Sequence, residues 1–379
     1  MAKRLRLLLL FGGRSAEHDV SCVTAASVAR ALDPARYEVV PVAITTEGEW
    51  LLATEAQRAI ERGAAALPRA FAVAGEPVAA PSDPGSPELV VRAPGGADLR
   101  VDVVLPLLHG PYGEDGTVQG LLELAGLPYV GSGVLGSAVG MDKIMMKRAF
   151  AAAGLPVARY RSLRDGHDAR AFADRAEAEL GLPCFVKPSN MGSSVGVSKA
   201  HDRRELDAAI ALALEYDEWI VAEEAVVGRE IEVAVLGDDP PTASVPGEIV
   251  PGAEFYDYAD KYERDDAVLL APAPLDRERA DEARHLAVAA FEACRCEAMA
   301  RVDLFLEETE GGRGFLVNEL NTIPGFTPIS MYPRLWEASG ISYASLIDRL
   351  VELALARHGR RARRAGRQLP HPGRDTTEA

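Results

Sequence analysis

The sequence predicts an α/β protein of two or three domains that begins with a parallel sheet and continues into an antiparallel one. Its 379 residues exceed the roughly 100–200 that usually form one domain. Residues 5–44 follow the order strand, glycine turn, helix and strand, which is how a parallel α/β sheet starts. Residues 230–236 and 242–250 alternate between apolar and polar side chains, which is typical of antiparallel strands.

Composition and charge favour a cytoplasmic enzyme and argue against several other classes of protein. Hydrophobic residues make up 48% and charged residues 26%, the balance of a chain that packs a sizeable core. The net charge of −16 removes the general attraction on which nucleic-acid and anionic-membrane binders depend, so we expect neither partner. The longest apolar stretch near the start, residues 7–11, is too short for a signal peptide or a membrane span. The spacing indicates neither a disulfide framework nor a zinc site for the four cysteines, Cys22, Cys184, Cys294 and Cys296.

The first part of the chain leads into a glycine-rich turn at residues 109–116. This turn directly follows a predicted strand, and open α/β sheets bind ligands at the carboxyl ends of their parallel strands. Residues 53–94 have little periodicity, so we expect one helix and a variable loop there. The other strands and helices are expected, in chain order, at residues 5–11, 20–33, 37–44, 101–107 and 118–125.

The rest of the chain contains further helices and strands and then a polar tail. Helices are expected at residues 141–153, 168–180 and 202–214, and strands at residues 184–187 and 219–224. From residue 357 onward the chain is rich in Arg, Pro, Gly and Thr with almost no apolar side chains, which indicates disorder.

The most informative segment for chemistry is residues 301–321, where two alternating strands flank a turn rich in Glu and Gly. Residues two apart in a strand share a face, so Arg301 lies beside Asp303, and Glu319 lies beside Asn321. A hairpin brings these four side chains together. Two carboxylates and an amide oxygen suit Mg²⁺, and the arginine can neutralise phosphoryl charge. The alternative is a solvated hairpin face with a cross-strand ion pair.

Two other segments are candidates for binding phosphate or a dinucleotide. Lys187 ends a strand and precedes a loop of small residues, which exposes backbone N–H groups and hydroxyls to a phosphate, although the loop is not a P-loop. The alternative is a hairpin turn. Residues 131–136 match G-x-G-x-x-G and permit an NAD-dependent oxidoreductase as an alternative function. The acid expected about 20 residues later is absent between Asp142 and Asp165, so a connector between domains is favoured.

Two polar segments have an open role. Glu17 lies in the first turn of a helix, where the helix dipole favours a carboxylate. It is either a binding group for an ammonium or a simple helix-start acid. Residues 254–266 are polar and aromatic without a clear period, which suits either a mobile lid or a solvated loop.

Two long motifs in the same order make the chain resemble the D-alanine–D-alanine ligases of the ATP-grasp superfamily. HGPYGEDGTVQG at residues 109–120 resembles the first signature of that family. The stretch from Arg301-Val-Asp303 to NELNTIPG, ending at Gly325, resembles the second, with KPS and GSSVG between the two. The resemblance covers about residues 5–350.

The resemblance implies an α/β ATP-grasp fold, in which an N-terminal Rossmann-like parallel sheet is followed by the two ATP-grasp domains. The implied boundaries are residues 1–135 for the N-terminal domain, 136–225 for the central ATP-binding subdomain and 226–355 for the C-terminal catalytic domain, with a disordered tail at 356–379. It also implies a cytoplasmic ligase, usually a homodimer, that makes D-alanyl-D-alanine for peptidoglycan. One D-alanine carboxylate attacks the γ-phosphate of ATP to give an acyl phosphate, and the amine of a second D-alanine then displaces phosphate.

The resemblance assigns residues to the metal and to ATP. The implied Mg²⁺ ligands are Asp303, Glu319 and Asn321, with Glu319 bridging two ions, which Mn²⁺ can replace. Lys143 and Lys187 are implied to contact the phosphates of ATP. Glu223 is implied to contact adenine, and Glu230 to contact ribose.

For the first D-alanine, the resemblance implies that Glu17 binds the ammonium group, with His109 nearby. Arg301 and the Gly325 N–H then match the oxyanion site that stabilises the tetrahedral intermediate. The groups implied around the carboxylate of the second D-alanine are Lys261, Ser330 and Met331, the last in place of a Leu common in the family.

Ser193 and Tyr262 match a hydrogen-bond network that links the small-residue loop to Glu17 and closes a lid over the intermediate. Relatives that make D-alanyl-D-lactate typically lack tyrosine at this position, so Tyr262 favours an amine as acceptor. The alternatives are a ligase that uses D-lactate, D-serine or another amino acid as acceptor, and a non-catalytic nucleotide-binding regulator. Glu17, Tyr262 and Ser330 oppose the first, and the complete set of metal and phosphate residues opposes the second.

Overall fold

The computed structural model describes residues 4–80, 88–90, 98–250, 268–308 and 311–364. The strands of this part of the chain form four sheets, the first of them mainly parallel and the others antiparallel, with helices packed against them. The predicted α/β class is confirmed. Among the described residues, no helix is both long and apolar enough to span a membrane. All four cysteines are free and buried.

The chain begins with a five-stranded sheet, here called the parallel sheet. The elements of this region are β1 (Leu5–Gly12), α1 (His18–Ala31), β2 (Tyr37–Ile44), β3 (Trp50–Leu52), α2 (Thr54–Glu61), β4 (Glu76–Pro77), β5 (Glu88–Val90), β6 (Asp98–Arg100), β7 (Val103–Pro106) and α3 (Thr117–Leu124). The strand order is β4-β3-β2-β1-β7, with β1 parallel to β2 and β7. The run of leucines in β1 is buried on both faces, as a central parallel strand requires.

Residues 53–94 contain more regular structure than the sequence predicts. The expected helix is α2, but the following segment adds β4 to the edge of the parallel sheet, where Leu51 pairs with Pro77. Strand β5 pairs separately with β6. Strands of two or three residues are too short to show a two-residue period, so the sequence pattern could not reveal them.

A four-stranded antiparallel sheet, here called the central sheet, follows. The elements are α4 (Val134–Met141), α5 (Lys143–Ala152), β8 (Tyr160–Arg164), α6 (Ala169–Leu180), β9 (Cys184–Pro188), β10 (Ser198–Ala200), α7 (Arg203–Tyr216) and β11 (Trp219–Glu224). The strand order is β10-β9-β11-β8. Helices α6 and α7 bury Phe172, Leu206 and Ile210 against the sheet.

The predicted helix at residues 141–153 is confirmed as α5, which begins two residues later, and a separate helix that was not predicted precedes it. Helix α4 begins earlier, at Val134, so that residues 131–136 lead directly into a helix. Asp142 then adopts an extended conformation and interrupts the helical path, because its side chain accepts the Met145 N–H and caps α5. The cap places Lys143 at the first position of a new helix.

The third sheet, here called the large antiparallel sheet, has six strands. The elements are β12 (Arg229–Gly237), β13 (Thr242–Ala243), β14 (Gly247–Val250), β15 (Val268–Leu270), α8 (Arg277–Ala293), β16 (Ala298–Glu307), β17 (Gly314–Asn321), α9 (Met331–Ala338) and α10 (Tyr343–Ala362). The order is β15-β14-β12-β16-β17, with β13 on β12. The predicted antiparallel sheet is confirmed, and α8 covers one of its faces.

The parallel sheet and the last two helices share one hydrophobic core. Leu7, Leu9 and Phe11 of β1 belong to the same buried cluster as residues of α1, α9 and α10. The segment after β17 supplies Ile323 and Phe326 to this cluster. The backbone that follows the predicted metal ligands is therefore anchored by packing from both ends of the chain.

The expectation of a disordered tail from residue 356 is wrong for its first part, because α10 continues to Ala362. Arg357 is buried and donates hydrogen bonds to the carbonyl oxygens of Tyr129 and Gly131. Arg361 pairs with Glu123 and Glu297. The arginines that give this segment its disordered composition are thus held by partners far away in sequence. Residues 365–379 lie outside the described part of the chain.

Candidate active site

The predicted hairpin is formed by β16 and β17, and its polar residues converge. Arg301 lies opposite Asn321, and Asp303 lies opposite Glu319. The Arg301 guanidinium donates two hydrogen bonds of 2.7 Å to the two oxygens of Asp303. The Asn321 side-chain amide donates to Asp303 at 3.1 Å. The Arg301 and Asp303 side chains are only 18% and 15% exposed, so this is not the solvated hairpin face considered as an alternative.

Glu232 is a member of this cluster that the sequence analysis missed. It lies opposite Asp303 on β12, is buried, and places its Oε1 3.1 Å from Arg301 Nε. Burial opposes the charged form of Arg301, but Asp303 and Glu232 raise its pKa well above the ordinary value. The signal in the sequence is the two-residue spacing from Glu230, which puts both carboxylates on one face of the strand.

The donor set of the hairpin fits a hard cation that keeps part of its water shell. Within the described residues, no group of three His, Cys, Asp or Glu side chains is arranged to hold a metal ion by itself. Asp303, Glu319 and Asn321 offer two carboxylates and an amide oxygen, which leaves positions for water and phosphate oxygens, as Mg²⁺ sites usually do. The residues present therefore suit Mg²⁺ in company with a phosphorylated substrate.

Both predicted phosphate lysines lie within electrostatic reach of Glu319, Lys187 on β9 of the central sheet and Lys143 at the start of α5. Lys187 on β9 donates to Glu223 Oε2 on β11 at 2.9 Å, and Lys143 Nζ donates to the Met191 carbonyl oxygen at 2.6 Å. Burial lowers the pKa of Lys143 despite the opposing effect of Glu319. Burial also acts against the charge of Lys187, but Glu223 and Glu319 raise its pKa. Glu319 thus lies within electrostatic reach of both lysines.

Glu223 and Glu230 occupy different positions relative to this cluster. Burial opposes ionisation of Glu223, but Lys147 and Lys187 hold its pKa down at about 2, so it is a carboxylate at neutral pH. Glu230 lies on β12 opposite Phe305 and raises the pKa of Lys187. Lys147 was missed by the sequence analysis, although its position one helical turn after Lys143 puts both lysines on one face of α5.

Glu17 lies at the start of α1, and two glycines approach it closely. Its side chain is buried, and a Cβ at Gly110 or Gly192 would lie 3.1 or 2.9 Å from its Oε2. Gly110 belongs to the glycine-rich turn and Gly192 to the small-residue loop of the central sheet. Both segments thus approach the carboxylate closely, and Gly110 also has a φ of 71°, a conformation that favours glycine. Ser193, next in that loop, has a φ of 49°, a left-handed conformation that few side chains adopt.

His109 and Glu114 hold the two backbone polar groups of Ile323, just beyond the hairpin, and are here called the clamp. The His109 Nδ1 lies 3.0 Å from the Ile323 carbonyl oxygen, and Glu114 Oε1 accepts the Ile323 N–H at 2.9 Å. The other Glu114 oxygen accepts the Gly110 N–H at 2.8 Å. Burial and the nearby Glu17 raise the pKa of Glu114 to about 8. Among the described residues, the buried His109 Nε2 has no hydrogen-bond partner, which leaves it available to a ligand.

The remaining predicted residues lie just after this clamp, or outside the described chain. A Cβ at Gly325 would lie 3.2 Å from Ser330 Oγ, so these two residues are adjacent. Ser330 Oγ accepts the Thr327 N–H at 3.1 Å, and Met331 begins α9 with a buried side chain. Lys261, Tyr262 and the rest of the predicted lid lie outside the described residues.

Two family models together match most of the chain. The family model described as D-ala D-ala ligase N-terminus matches residues 6–132, and that described as D-ala D-ala ligase C-terminus matches residues 149–352. The D-alanine–D-alanine ligase of Mycolicibacterium paratuberculosis is 50% identical over 367 residues, which cover 94% of this chain and 98% of that protein. The ligase of Geobacillus kaustophilus is 49% identical, over 92% of this chain and 94% of its own length.

Solved structures show the same similarity. The D-alanine-D-alanine ligase from Coxiella burnetii has a TM-score of 0.80 and 34% identity, covering 95% of this chain and 97% of its own. The D-Ala:D-Ser ligase from Enterococcus faecalis also has a TM-score of 0.80 and 34% identity, over 93% of this chain and all of its own. The ligase from Bacillus anthracis complexed with ATP has a TM-score of 0.69 and 27% identity, over 94% and 99%.

Proposed function

The chain belongs to the D-alanine–D-alanine ligase family and is an ATP-dependent ligase that joins two D-alanines for peptidoglycan precursor synthesis; we propose that the residues around the β16–β17 hairpin carry this reaction. The carboxylate of one D-alanine attacks the γ-phosphorus of ATP and releases ADP. The amine of the second D-alanine then attacks the carbonyl carbon of the acyl phosphate, loses a proton and displaces phosphate. The observation that carries the proposal is that the predicted phosphate lysines lie near the predicted metal carboxylates. The charge of Glu319 acts to raise the pKa of both Lys143 and Lys187.

The metal residues in this proposal are Asp303, Glu319 and Asn321. These residues would hold two Mg²⁺ ions, with Glu319 as a ligand shared by both, and Mn²⁺ is expected to substitute. The ions supply charge neutralisation on the transferring phosphoryl group. Arg301, held between Asp303 and Glu232, keeps a fixed guanidinium beside the proposed metal residues.

The nucleotide residues are two lysines, on α5 and β9, and two glutamates, on β11 and β12. Lys143 and Lys187 are assigned to the phosphates, since ammonium groups next to a metal site attract them. Glu223 is assigned to the adenine amino group and Glu230 to the ribose hydroxyls. The ionised state of Glu223 supports this assignment, because a carboxylate accepts the hydrogen bonds that amino groups donate.

The amino-acid residues lie around the clamp. Glu17 is assigned to the ammonium group of the first D-alanine. His109 is placed near that amino acid, because its buried Nε2 has no hydrogen-bond partner among the described residues. Arg301 and the Gly325 N–H are assigned to the oxyanion of the tetrahedral intermediate. The groups assigned to the second carboxylate and to the closing network are Ser330, Met331, Lys261, Ser193 and Tyr262.

The reaction is tested by phosphate release from Mg-ATP with D-alanine, L-alanine, or D-alanine plus either D-lactate or D-serine, with products identified by mass. We expect release with D-alanine and formation of its dipeptide in excess of any depsipeptide at neutral pH, because Tyr262 favours an amine acceptor. The equal similarity to a D-Ala:D-Ser ligase makes D-serine the alternative acceptor to exclude. More depsipeptide than dipeptide would refute the role of Tyr262, and no phosphate release would refute the proposed site.

We further propose that the enzyme is a homodimer, joined through α3 and the start of α4. These two helices pack together and expose Leu124, Val134 and Leu135, with Leu124 70% exposed. Light scattering is expected to give about twice the chain mass of 40.5 kDa, and Leu135→Asp to shift the protein toward that single mass. A wild-type protein at the single-chain mass would contradict the proposal.

We place three domains at residues 1–135, 136–225 and 226 onward, each with its own main sheet, and the third extends through α10. Limited proteolysis followed by mass measurement tests these boundaries, because cleavage concentrates between domains.

We propose that the enzyme is located in the cytoplasm, which its four free thiols suit. Cell fractionation tests this location.

A further inference from the structure

Lys147 is a lysine buried beneath the proposed nucleotide site, where a lone charge would be costly. Its side chain is only 1% exposed. Its Nζ lies 3.2 Å from Glu223 Oε1 and 3.2 Å from the Asn318 carbonyl oxygen, to which it donates a hydrogen bond. A charged group persists at such depth only when its neighbours compensate it. The position of this ammonium group therefore depends on both partners.

The first partner is shared with a phosphate lysine. Glu223 contacts Lys147 through Oε1 and Lys187 through Oε2, at 3.2 and 2.9 Å. Without Lys147, Glu223 would keep its ion pair with Lys187, but less of its charge would be compensated. Lys147 thus holds the Glu223 carboxylate and compensates part of its negative charge. The positive charge of Lys187 is then less neutralised by Glu223 and attracts an anionic ligand more strongly.

The second partner ties the nucleotide residues to the metal residues. Asn318 directly precedes Glu319 on β17, and α5 packs against that strand. Lys147 consequently connects the β11 residue assigned to adenine with the β17 segment that carries the metal ligands. These two strands belong to different sheets.

We propose that Lys147 is a positioning residue for nucleotide binding, which acts by holding Glu223 in place and by joining it to the β17 backbone. The inference rests on the proposed assignment of Glu223 to the adenine amino group. The inference predicts that Lys147 affects recognition of the nucleotide base through the Glu223 carboxylate, without contacting the base itself.

The test is Lys147→Met, which keeps the length of the side chain and removes its charge. We expect the KM for ATP and the Kd for Mg-ADP by calorimetry to rise about 10- to 100-fold, the range for directly coupled residues, with the KM for D-alanine changed by less than about twofold. The preference for ATP over inosine triphosphate, which lacks the 6-amino group, should shrink as well. Arg148→Met is the matched control, because Arg148 is an exposed cation on the same helix.

A double variant separates this role from a purely structural one. If Lys147 acts through Glu223, Lys147→Met with Glu223→Gln should bind Mg-ADP no more weakly than Glu223→Gln alone. Additive losses, or a Lys147→Met protein that is less stable but keeps its ADP affinity and base preference, would overturn the inference. Should Lys147→Met fail to fold, Lys147→Arg keeps the charge but changes its geometry, and an unchanged Kd and base preference would then refute the positioning role.

The same series distinguishes failure of the inference from failure of the functional proposal. Glu223→Gln with unchanged ADP affinity and base preference would refute the adenine assignment of Glu223, and with it the inference. A weakened Glu223→Gln protein beside an unaffected Lys147→Met protein would refute the inference alone.

Discussion

Replacing Glu319 with Gln is expected to abolish turnover while leaving the fold intact. Glu319 lies opposite Asp303 and acts to raise the pKa values of Lys143, Lys187 and Arg301, so its charge is central to the site. An amide has one acceptor oxygen and no charge, and cannot bridge two cations. We expect kcat to fall by at least about 10³-fold. This is the upper end of the loss that follows removal of one preorganised electrostatic group.

Phosphate release and magnesium titration measure this effect, with thermal unfolding as the test of the fold. The matched control is Glu308→Gln, because Glu308 follows β16 directly and its side chain is 47% exposed in a surface pair with Arg229. The control should retain wild-type turnover. A Glu319→Gln enzyme that turns over normally at ordinary magnesium concentrations would contradict the metal assignment.

Replacing Arg357 with Met is expected to lower the free energy of unfolding by about 2–4 kcal/mol. The guanidinium is buried, donates to the Tyr129 carbonyl oxygen at 2.7 Å and to that of Gly131, and lies 4.5 Å from the Tyr129 ring centroid. Methionine fills part of the volume but leaves two carbonyl oxygens without donors. Each buried polar group left unpaired costs about 1–3 kcal/mol, and Glu297 retains Arg361 as a partner.

Urea unfolding followed by circular dichroism gives the change in stability. Arg363→Met is the control, because Arg363 is exposed just beyond the end of α10, and its effect should stay within about 0.5 kcal/mol. Equal stabilities for the two variants would mean that the C-terminal helix does not anchor the parallel sheet. A large loss for Arg357→Met alone would establish that the apparent tail is part of the folded enzyme.

Much of the hairpin chemistry could be predicted from sequence, because a strand has a strict period of two. That period places Arg301 beside Asp303 and Glu319 beside Asn321 without any knowledge of the fold. The same reasoning works for Lys187, which ends a strand before a loop of small residues. For Glu232 and Lys147 the spacing indicates only the face of the strand or helix, because their partners Arg301 and Glu223 lie on other elements that become neighbours only in the fold.

Local pattern was therefore sufficient for the α/β class, the main elements and, through two long motifs, the family of ligases. It was insufficient where distant segments supply the partners. Arg357 looks like part of a solvated tail until Tyr129 and Gly131 accept its hydrogen bonds, and Glu114 looks like a turn residue until the Ile323 N–H reaches it. A residue type and its spacing specify which face it occupies, whereas burial, charge state and hydrogen-bond partners depend on contacts across more than 200 residues that form only when the sheets and helices pack together.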